Sequence, residues 1–253
     1  MTEYKEFNGA KTAYRHEGEG RDVILLHGWG QNMTMMSEIE NHLKDGFSVW
    51  NLDFPGFGES SDPPQAWGVP DYMNFLEAFV EENGIKEPIL IGHSFGCRVA
   101  IRYAAVHHDV RKMCLTGAAG IKPKATAEQK LRTSVYKAGK WFLKTTGQNE
   151  KLEELRNKSG SEDYRNAKGV MRDTFVKVVN DDVTPILKDV ACEVLLVWGD
   201  QDTAAPLWMG KQMEQEMPNA GLAIFEGDDH FAYWHQPARF NAVLDVFLKG
   251  DRV

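Results

Sequence analysis

The chain has 253 residues, 42% of them apolar and 26% charged, with a net charge of −8 from 37 acids against 29 bases. That content fills the core of one α/β domain carrying an insertion, and the acidic balance argues against broad nucleic-acid binding, because no positive field gathers phosphates. The polar start MTEYKEFNGAKTAYRHEGEG holds no apolar leader, no later run approaches a membrane span, and Cys97, Cys114 and Cys192 are too few and dispersed for a disulfide or metal framework, so a cytoplasmic protein with reduced core thiols is expected.

Asn8-Gly9, between EYKEF and AKTAYRH, is a hairpin signal and predicts an antiparallel pair at the sheet's N-terminal edge. Short apolar runs then recur at 23–27 (VILLH), 47–52 (FSVWNL), 88–92 (PILIG), 112–116 (KMCLT), 193–198 (EVLLVW) and 222–226 (LAIFE). Near-continuous apolarity over five or six residues fits strands covered on both faces, as in a parallel sheet. Helical spacing separates them at 71–83, 95–107, 207–217 and 237–249, which reads as right-handed βαβ units.

From about 118 to 190 the strand signal stops. Helical spacing takes over, through Leu131, Val135, Ala138 and Phe142, then Leu152 and Leu155, then Met171, Phe175 and Val178. One helical lid inserted between two sheet strands is the economical reading, dividing the chain into a first core part (1–117), a cap (118–190) and a second core part (191–253). Between 118 and 160 ten Lys or Arg face four Glu, a net +6. A solvated helix face explains this, and attraction of anionic substrates or an anionic surface is the alternative.

The stretch PILIGHSFGCRVAI carries the chemistry. Gly92 and Gly96 flank Ser94 at the point where a buried strand must turn into a helix, and their missing Cβ atoms permit a sharp bend that pushes Ser94 out at the sheet's C-terminal edge. The helix that follows aims backbone N–H groups and a positive dipole end at that spot. A serine hydroxyl needs a base to take its proton and a third group to hold that base.

His230, in EGDDHFAYWHQP directly after the last strand, is preferred as the base, with His235 the weaker competitor. His16, His42, His107 and His108 are badly placed, His93 points away from Ser94 by strand alternation, and His27 is expected to shape its own loop. In VLLVWGDQDTAAP, Gly199 and Asp200 make the turn, which leaves Asp202 to project as the orienting acid; Asp228 and Asp229 read as solvated loop acids. LLHGWGQNM supplies a glycine-rich turn after a strand, so the amides of Trp29 and Phe95 are the candidate oxyanion donors. LDFPGFGES lacks the third glycine and acidic partner of a dinucleotide fingerprint and reads as a tight turn with Asp53 bonding backbone amides. Trp29, Met33, Met36, Phe95, Met171, Phe175 and Phe231 are candidate walls of an apolar pocket.

In order, HGWG, DFPGFGES, GHSFG, WGDQD…P and GDDHF resemble the cap-bearing α/β-hydrolases, a group that includes carboxylesterases, meta-cleavage-product hydrolases, cofactor-free haloperoxidases and prolyl aminopeptidases, over residues 5 to 249. The resemblance implies an eight-stranded, mostly parallel sheet with an antiparallel N-terminal edge, helices on both faces and a helical lid. It also implies a chain order Ser94, Asp202, His230 for the catalytic groups. A serine at 94 departs from the aspartate of haloalkane dehalogenases and epoxide hydrolases, and His230-Phe231 departs from the His-Trp usual in the carbon–carbon bond hydrolases. The expected activity is hydrolysis of a small-molecule ester with a small or medium apolar acyl group, by a monomer or homodimer, without metal, organic cofactor, nucleic acid or membrane. The rivals are cleavage of a carbon–carbon bond in a dienoic acid and a binding or receptor role on the same fold.

Overall fold

The computed structural model describes residues 1–122, 134, 138–139, 141–143, 145–146, 148, 151 and 161–252. Strands β1 (Glu3–Phe7), β2 (Ala10–Glu17), β3 (Asp22–Leu26), β4 (Ser48–Leu52), β5 (Ile89–His93), β6 (Lys112–Thr116), β7 (Glu193–Gly199) and β8 (Ala220–Phe225) form one sheet in the order β1-β2-β4-β3-β5-β6-β7-β8. The β1–β2 and β2–β4 pairings are antiparallel and every other pairing is parallel. Asn8 and Gly9 both take positive φ (50° and 78°), the two-residue turn whose twist matches the flanking strands.

Alternation along the central strands divides the core between the two faces. Ile24, Leu26 and Leu90 pack on one side with Phe75 and Phe79 of α2 (Val69–Glu82) and Val99 and Tyr103 of α3 (Phe95–Val106). Val23, Leu25, Ile89, Ile91 and Cys114 pack on the other with Ile39 and Leu43 of α1 (Ser37–Leu43) and with Phe240 and Leu244 of the C-terminal helix Pro237–Phe247. Every residue of β4, β5 and β6 is buried, which is why their sequences read as mostly apolar runs; the polar exceptions Ser48, Asn51, His93, Lys112 and Thr116 are buried too. Each fully buried Phe or Leu contributes about 1.5–3 kcal/mol of apolar burial.

Between β6 and β7 the described residues form α4 (Glu162–Asn166), α5 (Val170–Val179) and a 3-10 turn at Thr184–Asp189. α5 buries Met171, Thr174, Phe175 and Val178, the i, i+3, i+4, i+7 stripe that its sequence predicts. Contacts that clamp this stretch to the main body include the Trp67 amide donating to Thr174 Oγ1 at 3.1 Å and the Arg102 guanidinium pairing with the Asp181 carboxylate. Leu131, Val135, Leu152 and Leu155, and all but Lys122 and Lys151 of the ten basic residues, lie outside the described residues. Phe142 is exposed rather than packed.

The chain then adds α6 (Leu207–Glu216), α7 (Ala232–His235) and α8 (Pro237–Phe247). Among the described residues no helix is long and apolar enough to cross a membrane.

Candidate active site

Ser94 links β5 to α3 with φ 49° and ψ −102°, a conformation that L-residues rarely adopt. The bend is enforced from both sides. Its amide donates to Thr116 O at 3.0 Å, and a Cβ on Gly96 would stand 2.1 Å from the carbonyl oxygen of Leu26, so only glycine lets α3 approach β3 so closely.

Asp202 follows β7, and its side chain is fully buried. Oδ1 accepts the amides of Ala204 and Ala205, each at 2.8 Å, while Oδ2 stands 2.7 Å from Nδ1 of His230. With one oxygen held by two backbone donors, the other has a fixed direction. His230 fits against Gly117, where a Cβ would lie 2.9 Å from Nδ1. Its ring rests 4.8 Å from that of His93, which is buried with Nδ1 3.1 Å from Thr116 O. Burial, reinforced by the charge His230 can carry, holds His93 well below its ordinary pKa, so His93 is a neutral packing group.

His27 shapes its loop as its position suggests. Nδ1 lies 2.7 Å from Gly28 O and Nε2 accepts the Phe54 amide at 3.0 Å, while burial, against that Gly28 bond, pulls its pKa to about 4. Asp53 accepts the amides of Met33 and Glu59 at 2.6 and 2.8 Å.

Ser94 and His230 open on one cavity of about 750 Å³, walled also by Trp29, Phe95, Phe175 and Phe231. A second cavity of about 680 Å³ shares Trp29, Gln31, Asp163 and Phe231 with it and reaches Met171. Strand-end loops and α5 therefore bring Ser94, His230, Trp29, Phe95, Met171, Phe175 and Phe231 to one place, with Asp202 directly behind His230.

The alpha/beta hydrolase family model matches residues 23–243. The chain belongs to the alpha/beta hydrolase family. It is 26% identical to a 2-hydroxy-6-oxononadienedioate/2-hydroxy-6-oxononatrienedioate hydrolase of Burkholderia vietnamiensis, over 93% of this chain and 90% of that one. A pimeloyl-[acyl-carrier protein] methyl ester esterase of Vibrio vulnificus is 23% identical, over 90% and 94%. An esterase structure from Exiguobacterium antarcticum superposes with a TM-score of 0.76 at 19% identity, over 99% and 100%, a likeness of fold alone.

In this alpha/beta hydrolase two pocket residues read from the sequence are not at the site. Met36 is fully buried with Val23, Leu25 and Ile39, Met33 is also buried, and neither lines either cavity. They lie on a four-residue 3-10 turn (Met33–Met36), too short for any periodic pattern to show which way its side chains point. Asp228 is a second correction. It is buried, not solvated, and accepts from the Asp229 amide, His235 Nδ1 and Gln236 Nε2 at 2.9, 2.8 and 2.7 Å. Asp200 takes the turn role, accepting the Gly227 amide at 2.8 Å. Arg98 and Gln31, which the sequence reading passed over, line the cavity with Ser94. The i, i+4 spacing of Ser94 and Arg98 is the signal that marks the latter.

The Asp228–His235 pair braces the loop that carries His230. Burial opposes the charge on Asp228, but the bonds from His235, Gln236 and the Asp229 amide outweigh it and hold the carboxyl below its ordinary pKa. The bond to Asp228 raises His235 above 6.5, against slight desolvation. A raised histidine contributes its stability below its unfolded pKa and loses it as pH climbs through the folded value. Thermal unfolding from pH 5 to 9 is expected to fall more steeply for wild type than for His235→Ala; parallel curves would remove the brace.

Proposed function

We propose that this alpha/beta hydrolase is a serine esterase acting on carboxylic esters with a small or medium apolar acyl group, through Ser94, His230 and Asp202. The carrying observation is the His230–Asp202 contact at 2.7 Å, with the far carboxylate oxygen fixed by two amides, beside a cavity onto which Ser94 opens. In this reading Nδ1–H donates to Asp202, leaving Nε2 as the acceptor for the serine proton. Ser94 Oγ attacks the ester carbonyl, and the Trp29 and Phe95 amides bind the tetrahedral oxyanion. His230 then protonates the departing alcohol and next activates the water that releases the acid. Each step uses side chains and amides of the chain itself. Residues 118–190 act as the cap over this centre and 1–117 with 191–253 as its platform, α5 supplying Met171 and Phe175 to the acyl wall.

A carbon–carbon bond hydrolase is the second reading, favoured by the name of the Burkholderia relative. The aromatic residue after the base is Phe231 here, so that reading stands second. The test is a comparison of kcat/KM for p-nitrophenyl esters of two to eight carbons with that for a 2-hydroxy-6-oxo dienoate. Ester turnover exceeding dienoate cleavage is expected, and the reverse order overturns the proposal.

A further inference from the structure

Arg98 sits one helical turn after Ser94 on α3 and faces the same cavity. Four residues of helix rise about 6 Å, so its side chain projects deeper along the wall than the serine. Its one hydrogen bond among the described residues runs from Nη1 to the backbone oxygen of Asp181, at 2.7 Å. A guanidinium carries five N–H donors and keeps its charge at any ordinary pH. The acid that would normally neutralise it is already committed: the Asp181 carboxylate accepts Nε of Arg102 at 3.1 Å on both oxygens and pairs with Arg102 Nη2 as well. Asp182 spends its Oδ1 on the amide and hydroxyl of Thr184. Among the described residues no carboxylate comes within 4 Å of Arg98.

Burial disfavours the charge of this half-buried guanidinium, and Asp181 and Asp182 offset that cost through space only, with no direct ion pair among the described residues. Its remaining donors are not sealed in the interior, because Arg98 lines the open cavity. Ala119, Phe175, Val178 and Val179 supply the apolar part of the cavity's wall. Asp163 and Asp229 line the cavity too; Asp229 is exposed, where water and salt screen it, and desolvation raises the Asp163 carboxyl toward its neutral form. A low-dielectric wall strengthens the field of the inner charge instead.

We propose that Arg98 is a specificity residue that receives an anionic end of the substrate's acyl chain, so that the preferred ester is one whose apolar chain terminates in a carboxylate. This rests on the esterase reading, which fixes Ser94 as the point where the other end of that chain is held. The planar fork of the guanidinium matches a carboxylate in two parallel hydrogen bonds. The apolar wall accounts for the methylenes between the two ends.

The experiment compares wild type, Arg98→Met and Arg98→Lys on mono-p-nitrophenyl suberate and on neutral p-nitrophenyl octanoate. In Arg98→Met, kcat/KM is expected to fall at least tenfold for the hemi-ester and less than threefold for the octanoate, with Arg98→Lys intermediate on the hemi-ester. Equal losses on both substrates would make Arg98 a structural tie to Asp181 only and overturn the proposal. So would a wild type that disfavours the hemi-ester tenfold. A second arm needs no turnover: calorimetric binding of sodium octanoate against octanamide. Arg98-dependent preference for octanoate in a protein that cleaves neither ester supports the anion site and refutes the esterase reading. Ester cleavage with octanoate binding indifferent to Arg98→Met refutes the anion site alone.

Discussion

Ser94→Ala is expected to lower kcat for ester hydrolysis on the order of 10^6-fold, leaving the residual rate that an oxyanion site and substrate binding supply by themselves. A fluorophosphonate probe should label the wild type and leave the variant unlabelled; labelling of Ser94→Ala, or turnover above about 1% of wild type, places the nucleophile elsewhere. Stability offers an independent reading of the same residue. Ser94 is held at φ 49° by Thr116 O on one side and by the close approach of α3 to Leu26 on the other. Alanine keeps the Cβ and therefore the strain, whereas glycine removes both, so Ser94→Gly should be more stable than Ser94→Ala by about 1 kcal/mol in denaturant unfolding. Equal stabilities would mean that the bend costs the fold nothing.

The features legible in the sequence are those with a local cause. Asn8-Gly9 announces its turn because few other pairs accept positive φ at both positions, and β4, β5 and β6 announce themselves because burial on two faces keeps their residues mostly apolar. Gly92-His93-Ser94-Phe95-Gly96 carries its bend in its own composition. The strand ends that deliver Asp202 and His230 follow from parallel topology, which gathers the C-terminal loops on one rim.

What escaped the sequence depends on partners far along the chain. Asp228 looks like its neighbour Asp229 until α7 folds back and sets His235 and Gln236 against it. Met33 and Met36 sit on a turn with no period, so an apolar pocket wall and an apolar core look alike there. Arg98 is a basic residue on an apolar helix, ordinary until Arg102, four residues on, claims the Asp181 carboxylate some eighty positions away.

Asp202→Asn is the second large effect expected, a loss on the order of 10^4-fold in kcat with KM little changed. The size follows from how the carboxylate is held. Oδ1 accepts two amides, from Ala204 and Ala205, and in the variant that position must stay an oxygen because an NH2 group would oppose two N–H donors. The new NH2 is thereby forced onto Nδ1 of His230, at the place where Oδ2 stands 2.7 Å away. Nδ1 must then accept, the imidazole proton moves to Nε2, and the base presents a proton to Ser94 instead of a lone pair. The fold keeps both backbone bonds to residue 202, so unfolding should shift little, which separates a wrong tautomer from a broken loop. Asp200→Asn, two residues away on the same turn, is the control and should keep kcat within about threefold, since Asp200 bonds the Gly227 amide rather than the base. An Asp202→Asn enzyme within tenfold of wild type, or imidazole nitrogen shifts in NMR that show the same His230 tautomer in both proteins, would refute the orienting role.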